Sequence, residues 1–189
     1  MLFTGKGDDG TTKVFDTKAG ERISKSSAIV EALGTLDECN SFLGLCKVES
    51  DTRGFKIASQ SFAHIVHEIQ ENLFVIQAEL AGADKSLPEE KLREAEKIVN
   101  TIEKELPPIT TFFISGGTEL ASRFDFARTL ARRAERKVVG VAEHTAEGNE
   151  RKIGEWSLAY LNRLSSLLYA LARLSNHFSG IVEESPSYN

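Results

Sequence analysis

The sequence has no basic excess, no long apolar run and almost no cysteine, and each shortage excludes a class of protein. Its 23 basic and 28 acidic residues give a net charge of −5. That balance argues against a general nucleic-acid binder, which usually carries a basic excess. No run of about 18 apolar residues occurs, so we expect no transmembrane helix and no membrane association. The opening MLFTGKGDDG lacks a charged-then-apolar leader, so no signal peptide is predicted.

The scarcity of cysteine predicts a chain without disulfides. Cys39 and Cys46 are the only two cysteines, and they fall in a helical pattern. Two helical turns separate their Cα atoms by about 10 Å, which is too far for a disulfide. We therefore expect both to be packing residues in a protein of the reducing cytoplasm.

Length and composition favour one globular domain. With 189 residues, 41% of them apolar and 27% charged, the chain can bury a substantial core without disulfides. Apolar residues recur at helical spacing in five segments, which predicts a single all-α five-helix bundle. We divide the chain into an ordered Gly-rich N-terminal loop, a helical bundle and a frayed tail, over residues 1–25, 26–178 and 179–189.

Capping and breaking residues set the expected helix limits. The helices are predicted over about 26–49, 57–82, 86–106, 118–143 and 155–178. Ser86 and Glu89 have the spacing of a capping box, and Gly34 inside the first helix indicates a close approach by another segment. Before the first helix we expect at most a short strand, near Lys13–Asp16.

The densest chemical feature is the basic segment RTLARRAERK, in which Arg128, Arg132 and Arg136 are spaced by four. This spacing places them on one helical face. Guanidinium groups bind phosphate oxygens in a bidentate manner, so the pattern indicates a clamp for polyphosphate. The alternative is a solvated face whose arginines pair within the helix, such as Arg128 with Asp125 and Arg132 with Glu135.

A Gly-rich segment near the N-terminus, TGKGDDGTT over residues 4–12, is the second feature. Its glycines allow backbone amides to converge on an anion, and Lys6, Thr11 and Thr12 add donors. The Walker A pattern is absent. Asp8 and Asp9 could assist a cation such as magnesium on a nucleotide. The alternative is a mobile terminus.

Two smaller features leave alternatives open. Asn162 is a poor residue for a helix interior, so it either bonds a ligand or lies on the polar flank of its helix. Phe112 and Phe113 precede the Gly116–Gly117 pair on a loop. Aromatic side chains at such a place either anchor the loop to the core or contact a ligand.

Residues for metal or hydrolytic chemistry are sparse. One helix carries three side chains that could provide a pair of metal ligands: His64, His67 and Glu68. So few ligands make a weak site. The Glu-x-x-His pair that a di-iron bundle needs does not occur. No Ser/His/Asp or Cys/His arrangement is persuasive. We therefore predict no metal site built from protein side chains.

Taken together, these segments resemble the PduO-type ATP:cob(I)alamin adenosyltransferases. The matching pieces span nearly the whole chain in the family's order: TGKGDDGTT, Lys25, GTLDECNSFLG, FFISGGTELAS, ARTLARRAER and LNRLS. The resemblance implies a homotrimeric five-helix bundle with active sites at subunit interfaces. It also implies transfer of the 5′-deoxyadenosyl group of ATP, with Mg²⁺, to cob(I)alamin, which yields adenosylcobalamin and triphosphate. A flavin or cob(II)alamin reductase is the implied partner, and the cytoplasm the implied location.

The resemblance also implies roles for individual residues. Asp37 and Arg128 match a family pair that forms a salt bridge across the subunit interface near the corrinoid. Phe112 matches an aromatic residue that blocks the lower face of the corrin and displaces its axial base. These three and Arg132 make up the implied catalytic set. The implied ATP contacts are Thr4, Gly5, Lys6, Gly7, Thr11, Thr12, Lys25, Arg132, Arg133, Glu135, Arg136 and Asn162.

The sequence departs from the family pattern at several places. Gly5 stands where the family commonly has lysine, and Lys6 follows one position later. Ser115 replaces a common proline before the glycine pair, and Ser166 replaces a common aspartate. Tyr188 is the only aromatic residue near the C-terminus that could cover the corrinoid.

Two other functions stay open at this point. One is a relative that binds the nucleotide or the corrinoid without turnover. The other is a helical interaction module whose basic face docks an acidic partner or a nucleic acid. The second alternative accounts for the arginines but not for the Gly-rich segment or Asn162.

Overall fold

The computed structural model describes residues 2–143 and 152–188, and within them it confirms the all-α five-helix prediction. Two small antiparallel hairpins accompany the helices, β1 with β2 and β3 with β4. The helices are α1 (Ala28–Arg53), α2 (Phe62–Leu80), α3 (Glu89–Glu105), α4 (Glu119–Glu143) and α5 (Glu155–Phe178). The strands are β1 (Thr11–Thr12), β2 (Ile23–Ser24), β3 (Lys56–Ile57) and β4 (Gln60–Ser61).

The core lies along α5, which packs against α3 and α4, while α1 packs against α2 and α4. Five leucines of α5 that follow the helical period are fully buried, namely Leu161, Leu164, Leu168, Leu171 and Leu174. Each such leucine stabilises the fold by about 1.5–3 kcal/mol relative to an exposed one. None of the helices in the described part of the chain combines the length and apolarity needed to cross a membrane.

The start of α2 differs from the predicted start near residue 57, because the β3–β4 hairpin occupies residues 56–61. Ala58 and Ser59 form its tip with φ of 47° and 72°, the left-handed backbone that tight hairpin turns require. Ser61 then caps α2, since its hydroxyl accepts a hydrogen bond of 3.1 Å from the His64 amide. The turn has no glycine or asparagine, so no residue type in the sequence marks it.

Three local predictions are wrong. The N-terminal strand lies at Thr11–Thr12 instead of Lys13–Asp16, because its partner is β2. The capping box does not form, because α3 begins at Glu89 and no side chain caps it. A capping-box glutamate has to lie three residues beyond the cap, whereas Glu89 directly follows the observed cap, Pro88. Among the described residues, nothing lies within 4 Å of a Cβ added at Gly34, so this chain makes no close approach there.

The tail also differs from its prediction. Residues 179–188 form no helix or strand, but they are not frayed, because several of them bond to the body of the protein. Glu183 pairs with Arg173 of α5, and the Glu184 carbonyl accepts a hydrogen bond of 2.8 Å from the Ile114 amide. Asn189, the last residue of the predicted tail, lies outside the described residues.

Cys39 and Cys46 are free and fully buried in the core, which confirms their prediction as packing residues. Burial raises the pKa of each thiol to about 12. At pH 8 only about one thiol in ten thousand is then ionised, and the thiolate is the reactive form. We expect neither cysteine to react with a disulfide reagent in the native protein, and both to react at once in denaturant. Rapid labelling of the native protein would contradict the buried placement.

Candidate active site

The arginines of α4 line one face of the helix, on which Arg128 is half-buried and the three that follow, Arg132, Arg133 and Arg136, are exposed. Arg136 donates a hydrogen bond of 3.0 Å to the backbone carbonyl of Arg132. Arg133 instead reaches across to Glu38 of α1 and forms an ion pair. The Arg132 guanidinium has no ion-pair partner within residues 2–143 and 152–188, so the predicted alternative of an Arg132–Glu135 pair is wrong. The face therefore offers at least one uncommitted positive charge to an anion.

Asn162 lies beside this face, because its side chain reaches from α5 to α4. Its amide nitrogen donates a hydrogen bond of 2.9 Å to Glu135, which lies one turn after Arg132. Asn162 remains exposed despite that bond. The structure thus brings Asn162, Glu135 and the arginines onto one surface, and the amide oxygen of Asn162 remains available to a ligand.

The Gly-rich loop is held by its own hydrogen bonds. The Lys25 ammonium donates to the Gly7 carbonyl at 2.7 Å, and the Lys25 amide donates to the Gly10 carbonyl at 2.9 Å. Asp9 accepts from both the amide and the hydroxyl of Thr11, and the hydroxyl bond above all lowers the pKa of Asp9. The predicted residues Gly7, Thr11 and Lys25 therefore lie together, with donors on one compact turn.

Among the described residues, no hydrogen bond connects the core of the Gly-rich loop to the arginines of α4. The hydrogen bonds of Gly7, Asp9, Thr11 and Lys25 all stay within the N-terminal segment. The assignment of both groups to one ATP site therefore stays a prediction.

Gly7 is required by a close approach inside the loop. A Cβ at this position would lie 3.0 Å from the Lys25 ammonium nitrogen and 3.1 Å from the Thr11 carbonyl oxygen. Gly7→Ala should displace Lys25 and, if the loop has the ATP-binding role that the sequence predicts, raise the KM for ATP severalfold, while the unfolding temperature stays within about 2 °C of wild type. Steady-state kinetics and thermal unfolding measure the two effects. Gly44→Ala serves as the control, because its added Cβ would make only an ordinary contact of 3.9 Å with Gln70 of α2, and it should leave the KM for ATP unchanged.

The predicted Asp37–Arg128 pair is not formed within one subunit. Asp37 is exposed on α1, and its carboxylate has no partner among the described residues. Arg128 pairs with Asp125 of its own helix at 3.3 Å, as the solvated alternative predicted, and its guanidinium lies 5.8 Å from the centre of the Tyr169 ring. The pair therefore stays a prediction about an assembly of several copies.

The loop between α3 and α4 presents Phe112 to the surface and buries Phe113 more deeply. Phe112 is 77% exposed, whereas the Phe113 ring packs 4.9 Å from the Arg173 guanidinium. The sequence left open whether these aromatic residues anchor the loop or contact a ligand. In the structure Phe113 anchors the loop, and Phe112 is free to contact a ligand. A cavity of about 220 Å³ separates this loop from α4, and its lining residues are Ser115, Gly116, Ser122, Asp125, Phe126 and Thr129.

A larger cavity of about 470 Å³ lies away from all of these residues, between α2, α3 and the β3–β4 hairpin. His64 and Glu68 line it, but His67 instead bonds Lys47 at 3.1 Å. No group of three or more His, Cys, Asp or Glu residues in the described ranges could hold a metal ion. We place the candidate site at the α4 face because the arginines predicted to bind phosphate are gathered there, although the larger cavity lies elsewhere.

The structure explains some of the positions at which the sequence departs from the family pattern. Gly5 has φ of 68°, a left-handed conformation that a lysine at this position would adopt only with strain. Ser115 lines the smaller cavity, whereas Ser166 is exposed on α5. Tyr188 is 81% exposed, and nothing in the structure explains the change at position 166.

The sequence patterns do not reveal several residues that hold this region together. Arg173 and Asn176 are both only 6% exposed, and both bond to the loop that carries Phe112. Glu38 and Arg22 were also missed as partners of Arg133 and Thr11. A usable signal existed for the first two, because an arginine and an asparagine interrupt the apolar stripe of α5.

Comparison with known proteins places the chain in a family. The sequence profile of the family described as cobalamin adenosyltransferase matches residues 2–175. The chain belongs to this family. The resemblance inferred from the separate sequence segments is thereby confirmed.

Individual relatives agree with this assignment. The corrinoid adenosyltransferase PduO of Citrobacter freundii is 38% identical over an alignment of 183 positions, which covers 93% of this chain and 50% of that protein. The corresponding protein of Salmonella typhimurium is 37% identical over 97% of this chain and 53% of its own length. The chain thus spans about half the length of these two relatives. The corrinoid adenosyltransferase of Bacillus subtilis is 38% identical over 95% of this chain and 89% of its own length.

Solved structures share the fold along its whole length. A variant PduO-type ATP:corrinoid adenosyltransferase from Lactobacillus reuteri, complexed with cobalamin and ATP, superposes with a TM-score of 0.84 at 26% identity. The superposition covers 100% of this chain and 97% of that one. Another variant of the same kind, complexed with ATP, gives a TM-score of 0.82 at 26% identity over 98% and 100% of the two chains.

Proposed function

We propose that this chain is a corrinoid adenosyltransferase, which transfers the 5′-deoxyadenosyl group of ATP to cob(I)alamin. The observation that carries the proposal is the exposed basic face of α4, on which Arg132 has no ion-pair partner among the described residues. Membership of the cobalamin adenosyltransferase family supports it, as do relatives that were solved with cobalamin and ATP. The substrates are therefore ATP and a reduced corrinoid.

The reaction is a displacement at C5′ of the ribose. The electron pair of cobalt(I) forms the cobalt–carbon bond, the bond between C5′ and oxygen breaks, and its electron pair leaves with the triphosphate. Cobalt becomes formally cobalt(III), and no proton has to move. A side-chain base is therefore unnecessary, which agrees with the lack of a persuasive catalytic triad in the sequence. The protein positions the two substrates and stabilises the leaving group.

Fixed positive charges stabilise the triphosphate as its negative charge grows. Arg132 and Arg136 supply two such charges from α4, and Lys25 supplies a third from the loop. Arg133 already pairs with Glu38, so its role is to hold α1 against α4 as much as to bind phosphate. Magnesium arrives with the triphosphate and neutralises part of its charge.

The ATP site is completed by a neighbouring subunit in our proposal. The loop residues Thr4, Gly5, Lys6, Gly7, Thr11, Thr12 and Lys25 wrap the nucleotide, and the α4 face with Asn162 contacts the triphosphate and nucleoside. A homotrimer that pairs the loop of one copy with the α4 face of the next unites them, and the hydrogen bonds of the loop, which stay within the N-terminal segment, are consistent with this arrangement. Asp37 and Arg128 then form their pair across the same interface. We retain the division into the nucleotide-binding loop over 1–25, the bundle over 26–178 and the tail.

Phe112 acts on the corrinoid. An exposed aromatic ring on a loop costs free energy in water, and it is well placed to cover an apolar macrocycle. Placed against the lower corrin face, the ring excludes the axial base and favours four-coordinate cobalt(II). Loss of the axial ligand makes cobalt(II) easier to reduce, so a flavin or cob(II)alamin reductase in the cytoplasm can supply the electron.

The proposal is tested by anaerobic incubation with chemically reduced cob(I)alamin, Mg²⁺ and ATP. We expect the cob(I)alamin absorbance to disappear and a light-sensitive alkylcorrinoid spectrum to replace it. A control with ADP in place of ATP shows the dependence on the triphosphate. Bound ATP without a corrinoid product would overturn the proposed turnover and favour a binding relative. Salt-sensitive binding to nucleic acid, with none to ATP, would favour an interaction module instead.

A further inference from the structure

We infer that Arg173 is a positioning residue that fixes the direction of the Phe112 side chain, with Glu183 of the C-terminal tail as its partner. The inference deepens the proposed function and rests on it, because the direction of Phe112 matters only if Phe112 contacts the corrinoid. Four observations support it. They are the contacts of the Arg173 guanidinium, the inward and outward placement of neighbouring loop side chains, the hydrogen bonds of Asn176 to the loop, and the burial of the Arg173 charge.

The Arg173 guanidinium joins three parts of the chain to α5. Its Nε donates to the Glu183 carboxylate at 2.8 Å, and its terminal nitrogen donates to the Pro107 carbonyl at 3.3 Å. The Phe113 ring stacks on it with 4.9 Å between the guanidinium carbon and the ring centre. The start of the loop, the middle of the loop and the tail therefore all depend on one side chain.

This arrangement determines which way Phe112 points. Phe113 packs inward against Arg173, while its neighbours Phe112 and Ile114 are 77% and 58% exposed. The Ile114 amide is fixed in turn by the Glu184 carbonyl of the tail at 2.8 Å. With Phe113 and Ile114 both held, the residue before them has little freedom to turn inward.

Asn176, one turn after Arg173, holds the other end of the loop. Its amide nitrogen donates to the Gly116 carbonyl at 3.0 Å, and its amide oxygen accepts from the Thr118 amide at 3.0 Å. The loop has no strand or helix of its own between α3 and α4. Side chains from the last turns of α5 therefore supply the hydrogen bonds that hold the loop, at both of its ends.

The burial of Arg173 argues that its charge has a specific use. Burying an ion pair costs desolvation free energy, and a well-packed apolar pair of similar size is often as stable or more stable. Only a planar guanidinium can donate to a carboxylate and a carbonyl while one face stacks on an aromatic ring. The specific contribution of Arg173 is therefore the geometry of its three contacts, more than the stability of the fold.

Contacts along α5 also lead from Arg173 toward Arg128, the arginine of the predicted Asp37–Arg128 pair. Tyr169 lies one turn before Arg173 on α5 and contacts Arg128 of α4 with its ring. Burial raises the pKa of the Tyr169 phenol, so it stays neutral between the two arginines. Arg128, Tyr169 and Arg173 thus follow one another along the side of the bundle that carries the Phe112 loop.

The test compares two reactions in wild type and in Arg173→Met, which keeps an unbranched apolar side chain and removes the charge and the donors. We expect adenosylation that starts from cob(II)alamin and a reductant to fall about tenfold. Adenosylation of preformed cob(I)alamin should fall less than about twofold, because the chemical step itself does not use Arg173. The fraction of bound four-coordinate cob(II)alamin, measured by electron paramagnetic resonance, should fall with the first reaction.

A double-mutant cycle separates positioning from general stability. If Arg173 acts through Phe112, then Phe112→Ala combined with Arg173→Met should be no worse than Phe112→Ala alone. Effects that multiply in the double variant would overturn the inference. Glu183→Gln leaves Arg173 in place and should also lower the fraction of bound four-coordinate cob(II)alamin. This variant replaces Arg173→Met in the test if Arg173→Met fails to fold.

Arg163→Met is the matched control. Arg163 also lies on α5 and pairs with a glutamate of another segment, Glu96 of α3, at 3.0 Å, but it has no contact with the loop. Its substitution should leave the four-coordinate fraction unchanged. If wild type itself forms no four-coordinate cob(II)alamin or no product, the proposed function fails. If wild type forms both and the Arg173 and Glu183 variants match it, the positioning role alone fails.

Discussion

Replacement of Arg132 by alanine is expected to lower kcat for adenosyl transfer by about 100- to 1000-fold. This range is what the loss of one fixed donor to a developing negative charge costs in other enzymes. Arg132 is exposed on α4 and has no ion-pair partner in the described residues, so its removal leaves no buried charge behind. The unfolding temperature and the oligomeric state should therefore stay close to wild type.

Arg93→Ala is the control for this experiment. Arg93 is also a helical surface arginine, but on α3 it pairs with Glu89 at 2.7 Å and lies in none of the candidate sites. Its substitution should leave kcat unchanged. Stopped-flow measurement of the first turnover separates the chemical step from product release. Near-normal kcat in Arg132→Ala would contradict the assigned phosphate role.

Replacement of Asp37 by alanine is expected to give the second large loss, confined to the corrinoid. A buried ion pair broken on one side costs about 3–5 kcal/mol. Arg128 keeps Asp125 at 3.3 Å, so we expect the lower end, which is about a 100-fold fall in kcat/KM for cob(I)alamin. The KM for ATP should change little, and the fold should survive, because Asp37 is exposed in the single chain.

Mixing subunits tests whether the pair spans an interface. Asp37→Ala and Arg128→Ala chains, each nearly inactive alone, are unfolded together and reassembled. An interface that combines Arg128 of the first chain with Asp37 of the second contains the intact pair, so activity should return in part. Reassembly of either variant with itself is the control. No recovery in the mixed assembly, although mixed trimers are present, would contradict a pair across the interface.

The helices could be predicted because their apolar residues follow one period over many turns. Leu161, Leu164 and Leu168 illustrate this, since all three are buried as expected. The β3–β4 hairpin could not be predicted in this way, because Ala58 and Ser59 adopt left-handed backbone without the residue types that usually mark it. The true start of α3 was missed for a related reason: a capping pattern is present at Ser86, but the chain does not use it.

The candidate site was predictable where one local pattern carries the chemistry. The four-residue spacing of Arg128, Arg132 and Arg136 is enough to place them on one face of a helix. The contacts of Arg173 and Asn176 with the loop escaped prediction because they are made to backbone carbonyls 60 or more residues away in the chain. No local pattern encodes such contacts. The proposed pairing of Asp37 with Arg128 would join two copies of the chain, so one chain alone cannot display it.

The most direct test of the central claim is the stoichiometry of triphosphate release in a single turnover. Enzyme with ATP and Mg²⁺ is mixed anaerobically with a limiting amount of cob(I)alamin, and the phosphorus products are quantified by nuclear magnetic resonance beside the photolabile corrinoid. We predict one intact triphosphate for each adenosylated corrinoid formed, and none without the corrinoid. Release of ADP and phosphate, or triphosphate released without a corrinoid product, would contradict displacement at C5′ and with it the proposed function.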